Sequence, residues 1–143
     1  MRYFILFFFI FTYSLTVFAD SGKEIFWNSG WGAIEPKIGK FICKLDAHYT
    51  IENNEINNYL SRSLRLEIKQ TEDSTYFIKY KLDGKSDWNQ YPVTKIAHPL
   101  IVSEYVDVNI RLGGYPEKMR NNFSYIRYNY NSEDIIRGEC EEL

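Results

Sequence analysis

The stretch RGECEEL, Arg137 to Leu143, ends the chain and carries Cys140, whose only possible cysteine partner is Cys43 in KFICKLDAHYT, residues 40–50. A pairing would close a loop of 97 residues (140 minus 43). It would also bring the two Cα atoms within about 7 Å. The first and last regular elements of the fold must then be neighbours. Two free buried thiols or a metal pair are the alternatives, but there is no CxxC, and His48 and His98 are near neither cysteine in sequence. A structural disulfide is therefore expected, and no metal or cofactor site.

Disulfides belong to oxidising compartments, and the opening residues point to one. MRYFILFFFIFTYSLTVFA, residues 1–19, has a single charge, Arg2, then an apolar run ending in Val17-Phe18-Ala19, the small-x-small pattern of signal-peptidase cleavage. The run from Tyr3 to Ala19 is short for a bilayer span and is followed by no basic cluster. A signal peptide over 1–19 is expected, with no stable membrane anchor after its removal. A single β-rich domain over 20–143 should remain, with 20–38 as an N-terminal strap. The localisation expected is secreted or periplasmic.

The whole chain has 17 basic and 19 acidic side chains; without Arg2 the balance is 16 to 19, net −3. The charges are interspersed and no basic run stands out, so a nucleic-acid partner is not expected. Ten of the 12 tyrosines and all three tryptophans lie beyond residue 19. Aromatics with a polar handle suit half-buried strands and binding surfaces alike.

Period-two alternation predicts strands along most of the chain. In 40–50, Phe41, Cys43, Leu45, Ala47 and Tyr49 share one face, so Cys43 points inward. Further strands are predicted in RSLRLEIKQ (62–70), TYFIKYKL (75–82), YPVTKIA (91–97), LIVSEYVDVNIRL (100–112), NFSYIRYNY (122–130) and IIRGEC (135–140). Pro92 places the fourth at an edge. IENNEINNYLSRS (51–63) fits neither period and reads as a loop, with one helical turn around Glu55 to Leu60. Short connections favour antiparallel pairing. The fold class expected is all-β: a small antiparallel closed or nearly closed β-barrel of about seven strands, with a two-sheet β-sandwich as the alternative.

Several residues are candidates for function. Glu104 stands on the face shared by Leu100, Val102, Val106, Val108, Ile110 and Leu112, which predicts either a carboxylate inside the barrel or a β-bulge near Ser103 that turns it out. Trp27 and Trp31 in IFWNSGWGAIEP (25–36) read as exposed binding anchors or as a lid over the barrel end. Trp88 in DGKSDWNQ (83–90) and Tyr115 in GGYPEK would extend the same surface if those loops share one end. His48 and His98 lack a nearby acceptor or nucleophile, and no GxSxG, HExxH or Walker loop is present. Asn122-Phe123-Ser124 matches a glycosylation sequon.

The early FICKL and the final GEC resemble small periplasmic lysozyme-inhibitor barrels, in which a disulfide joins the N- and C-terminal strands. The chain lacks the Ser- and Gly-rich inhibitory loop of that family and the Gly-x-Trp signature of lipocalins, so the likeness is one of architecture. The leading functional expectation is a secreted or periplasmic non-catalytic binding module that contacts a protein or glycan through aromatic loops; an enzyme inhibitor is one form of it. The alternatives are a barrel that binds a small amphipathic ligand through Glu104, and a hydrolase using Glu104 with His48 or His98.

Overall fold

Cys43 and Cys140 are directly opposite each other in the antiparallel pairing of the first long strand with the last, and they form a disulfide with Cα atoms 3.9 Å apart. Both are buried. The bond fits an oxidising compartment. The computed structural model describes residues 24–29, 34–59 and 61–143. The expected signal peptide and Trp31 lie outside the described residues.

The fold is all-β. Its strands are β1 (Trp27–Ser29), β2 (Ile34–Pro36), β3 (Gly39–Glu52), β4 (Glu55–Asn58), β5 (Ser63–Gln70) and β6 (Tyr76–Leu82), followed by β7 (Asn89–Pro92), β8 (Lys95–Ala97), β9 (Leu100–Glu104), β10 (Val108–Gly113), β11 (Asn122–Tyr128) and β12 (Ser132–Glu142). β1 and β2 make a small hairpin. The other ten form one strongly curled antiparallel half-barrel in the order β7-β6-β5-β3-β12-β11-β10-β9-β8, with β4 paired to β3.

Ten strands replace the expected seven for three local reasons. First, the stretch 51–58 is a hairpin and not a loop with a helical turn. Asn53 and Asn54 take φ values of 50° and 65°, which asparagine tolerates in the left-handed region and a two-residue hairpin turn requires. Second, LIVSEYVDVNIRL is broken at its middle. Tyr105 and Val108 exchange backbone hydrogen bonds, so Val106 and Asp107 form a tight turn between β9 and β10. Third, the segment 89–97 changes partner. Its first half pairs with β6, its second half with β9, and only Val93 and Thr94 intervene. One extended stretch thus touches both edges of the curled sheet. At this seam the Ser103 hydroxyl donates to the Pro92 carbonyl at 2.6 Å, and the Glu104 N–H donates to Thr94 Oγ1 at 2.9 Å.

The concave face holds the core. Phe41, Leu64, Leu66, Ile68, Ile78, Ile110, Leu112 and Phe123 are fully buried there. One end of the half-barrel is plugged by the strap. Ile25, Phe26 and Trp27 are buried; Phe26 packs edge-on to Phe41 at 5.1 Å. Trp27 Nε1 donates to the Pro99 carbonyl at 3.3 Å, and its ring meets His98 at 5.0 Å. Glu24 binds His98 Nε2 at 2.6 Å and Arg120 Nε at 3.3 Å. Among the described residues the strap does not reach the far end, the open end of the half-barrel.

Candidate functional site

A β-bulge decides what faces the open end. β12 pairs Gly138 with Leu45 but Arg137 with Ala47, so Asp46 is an extra residue in β3. Gly138 permits this approach: a Cβ there would overlap the Lys44 carbonyl. An extra residue inverts the side-chain parity beyond it. Before the bulge Phe41 and Cys43 face inward; after it, His48 and Thr50 do, opposite Ile136 and Asp134. Unbroken alternation from Phe41 through Tyr49 would set His48 on the opposite, polar face. That assignment fails at Asp46.

The inverted stretch builds a polar cluster on the concave wall. The Thr50 hydroxyl donates to Asp134 Oδ1 at 2.7 Å and lies 3.1 Å from the Tyr59 hydroxyl. The Tyr59 ring stacks on His48 with centroids 4.7 Å apart. Its backbone N–H donates to the His48 carbonyl at 2.9 Å. Burial lowers the His48 pKa below its ordinary value, and the Asp134 carboxylate opposes that shift. His48 Nδ1 is buried without a hydrogen-bond partner. An open cleft of about 420 Å³ adjoins it, lined by His48, Tyr59, Ser61, Leu82, Asp83 and Lys85.

Beneath this cluster lie three tyrosines. Tyr80 stacks parallel to Tyr91 at 6.4 Å and meets Tyr125 at 5.4 Å. Burial raises the Tyr125 pKa to about 12, and burial also drives Tyr80 upward. Arg127 sits beside them, its pKa raised by Tyr125 and by Asp107 at 3.4 Å.

The rim around the open end is apolar and aromatic at its tips. Val106, on the β9–β10 turn, is 101% exposed, and Tyr130, on the β11–β12 turn, is 100% exposed. Tyr105 and Tyr128 beside them are more than half exposed. The two tips are joined, since the Tyr128 N–H donates to the Asp107 carbonyl at 2.7 Å. The β3–β4 hairpin comes next around the rim, because Glu52 pairs with Ser132.

The residues singled out from sequence are dispersed. Trp27 is buried in the strap. Glu104 is exposed at the end of β9 and does not enter the interior. Register explains the difference: Ile101 and Ser103 pair with Leu112 and Ile110 and share their inward face, so Leu100, Val102 and Glu104 face the other way. His98 lies beyond the opposite end of β9, about 13 Å of strand away. Trp88 is 36% exposed and lies against the ammoniums of Lys79 and Lys81, 5.0 and 5.3 Å from its ring centroid. Tyr115 is exposed at the strap end, whereas the Trp88 loop leaves β6 at the open end. The two loops do not share a surface.

Sequence reasoning missed the rim because it placed Tyr105, Val106, Tyr128 and Tyr130 inside strands. The Asp107 and Asn129 turn residues beside them carried the missing signal. Among the described residues no group of three or more His, Cys, Asp or Glu side chains gathers as a metal site. No protein-family model, curated protein or solved structure matches the chain.

Proposed function

We propose that this chain is a non-catalytic binding module of an exported, secreted or periplasmic protein, and that it grips a protein partner with the rim of its open end. The observation that carries the reading is the placement of Val106 and Tyr130, fully exposed on adjoining hairpin tips with Tyr105 and Tyr128 beside them. Solvent gives such side chains no stabilisation, and Tyr supplies large contact area at low entropic cost, which is why it is enriched at interface hot spots. Projecting tips suit insertion into a partner's cleft, the geometry of an inhibitor; a flat aromatic platform would suit a glycan better. The disulfide and the curled sheet hold the tips rigid, which limits the ordering cost of association.

Capture of partners from culture supernatant and host extract by the wild-type chain and by a Val106→Asp/Tyr130→Ala variant tests the reading. The expected result is a partner held by the wild type and lost by the variant, with an unchanged melting temperature. Equal capture by both proteins would remove the rim from the interface. A second reading, a small amphipathic ligand, rests on the cleft beside His48 and Tyr59. There the polar end of the ligand would meet His48 Nδ1, a role first expected of Glu104. Chemical-shift changes confined to His48 and Tyr59 on titration with a ligand library would favour it over the rim.

A further inference from the structure

The convex face of the sheet is divided by charge. On β5 and β6 the outward positions carry Arg65, Lys69, Lys79 and Lys81 with Glu67 as the one acid, and on β3 they add Lys40 and Lys44, while on β12 they carry Glu133, Glu139 and Glu141 with Arg137 as the one base. Register sets Arg65 directly opposite Lys81. Like charges facing across a ladder destabilise it, so this pair gives the fold nothing. Glu67 is already engaged by Lys69 at 3.3 Å, and its side chain is 13% exposed. Among the described residues no carboxylate lies within 4.0 Å of Arg65, Lys79 or Lys81. Trp88 folds back over this patch, 5.0 Å from Lys79 Nζ and 5.3 Å from Lys81 Nζ, and stays about a third exposed.

We propose that the convex face of β5 and β6, with Trp88 against Lys79 and Lys81, is a binding site for a sulfated polysaccharide. Arg65, Lys79 and Lys81, of which only Lys79 has an acid opposite it in the ladder, Glu67, meet the sulfate groups, and the exposed part of the indole takes the C–H face of a sugar ring. Lysine ammoniums are mobile point charges, which suits a chain of repeated anions more than one planar group. A nucleic acid offers anions and stacking bases too, but the sequence carries no basic run of the kind a nucleic-acid binder shows, and the disulfide fits an oxidising compartment. The whole chain carries a net charge of −2, so attraction to a polyanion must come from a local patch. This face is separate from the aromatic rim, and either site can fail without the other.

The test uses the full chain on immobilised heparin and in titrations with a heparin octasaccharide, at about 50 mM salt, where surface charges are weakly screened. The expected result is retention of the wild type, with tight binding of the octasaccharide and a shift in Trp fluorescence. Lys79→Gln/Lys81→Gln should weaken binding about five- to tenfold, on the scale of two exposed ion pairs. Trp88→Ala should weaken it by about tenfold at unchanged charge, on the scale of a lost aromatic contact. Trp88→Phe, which keeps an aromatic face, should restore most of the loss. If Trp88→Ala costs affinity only through partial unfolding, its circular dichroism melt will show it, and Arg65→Gln then serves as the second variant. Absence of retention, or wild-type affinity in the Lys79→Gln/Lys81→Gln variant, overturns the proposal. So does equal competition by a desulfated octasaccharide or by a single-stranded DNA of the same charge.

Discussion

The Ser103 hydroxyl donates to the Pro92 carbonyl at 2.6 Å, from β9 to the end of β7, and so joins one edge strand to the strand next to the other edge. Ser103 is fully buried, in a position otherwise suited to an aliphatic side chain. The bond takes the place of ladder pairing at a point where the segment 89–97 passes from one edge to the other. Ser103→Ala should destabilise the fold by about 1 kcal/mol, the net worth of a part-buried hydrogen bond. Urea unfolding of the two proteins measures the difference. A loss below about 0.3 kcal/mol would mean the seam is held by backbone alone.

The disulfide ties the two central strands of the same sheet across 97 residues of chain. Cys43→Ala/Cys140→Ala should lower stability by about 2–5 kcal/mol, with about 4.7 kcal/mol as the chain-entropy ceiling for a loop near this length. Because both cysteines are buried, the native protein should resist mild reductant and yield only when partly unfolded. Thiol labelling over a denaturant series reads this directly: labelling that starts well before the unfolding transition would contradict it.

How much of this was legible from sequence depends on what interrupts the alternation. Cys43 opposite Cys140 follows from the inward parity of KFIC and IRGEC, and the all-β closure follows with it. The interior face of β5 and β6 was equally plain, since Leu64, Leu66, Ile68, Ile78 and Tyr80 alternate without a break. Where one residue shifts the parity, the pattern misleads. Asp46 sends His48 inward, and the Val106-Asp107 turn sends Glu104 outward. Neither event has a composition signal as strong as Asp-Gly, because Asp46 lies in an otherwise regular strand and Asp107 stands between two valines. The strap was legible only as two options, since its docking depends on Pro99, which accepts from Trp27, and Asn121, which accepts from Ile25, both far away in the chain.

Gly138 is required at the bulge because its Cα faces the Lys44 carbonyl with no room for a side chain. Gly138→Ala should cost about 3 kcal/mol or more, as overpacking against rigid backbone does. The neighbouring exposed position sets the comparison, with Glu139→Ala expected to stay within about 0.5 kcal/mol. The Gly138→Ala protein should also lose the stacking of Tyr59 on His48, seen as a change in their ring proton shifts. Equal stability in the two variants would show that the bulge relaxes at no cost.

Trp27 fills the strap end, with its indole N–H on Pro99 and its ring against His98. Trp27→Ala should lower stability by about 3–5 kcal/mol, the range for truncating a buried large aromatic. Trp27→Phe keeps most of the apolar volume and should lose much less. A Trp27→Ala protein that melts with the wild type would place the strap outside the folded unit.

The tyrosine floor gives the fold an alkaline limit. Burial raises the pKa of Tyr125 to about 12 and moves Tyr80 in the same direction. In the unfolded chain both titrate near 10, so above that pH the unfolded state ionises while the folded state holds its protons. The stabilisation from these hydroxyls is therefore complete below about pH 10 and shrinks as pH rises from about 10 through about 12. The melting temperature should fall steeply across that window. The tyrosinate absorbance should rise in two stages, with Tyr80 and Tyr125 ionising only in the second, on unfolding. Tyr125→Phe removes one of the two delayed groups and should flatten the fall without shifting the first stage. A single absorbance stage at the ordinary tyrosine pKa, reversible and without loss of structure, would mean the floor is open to water.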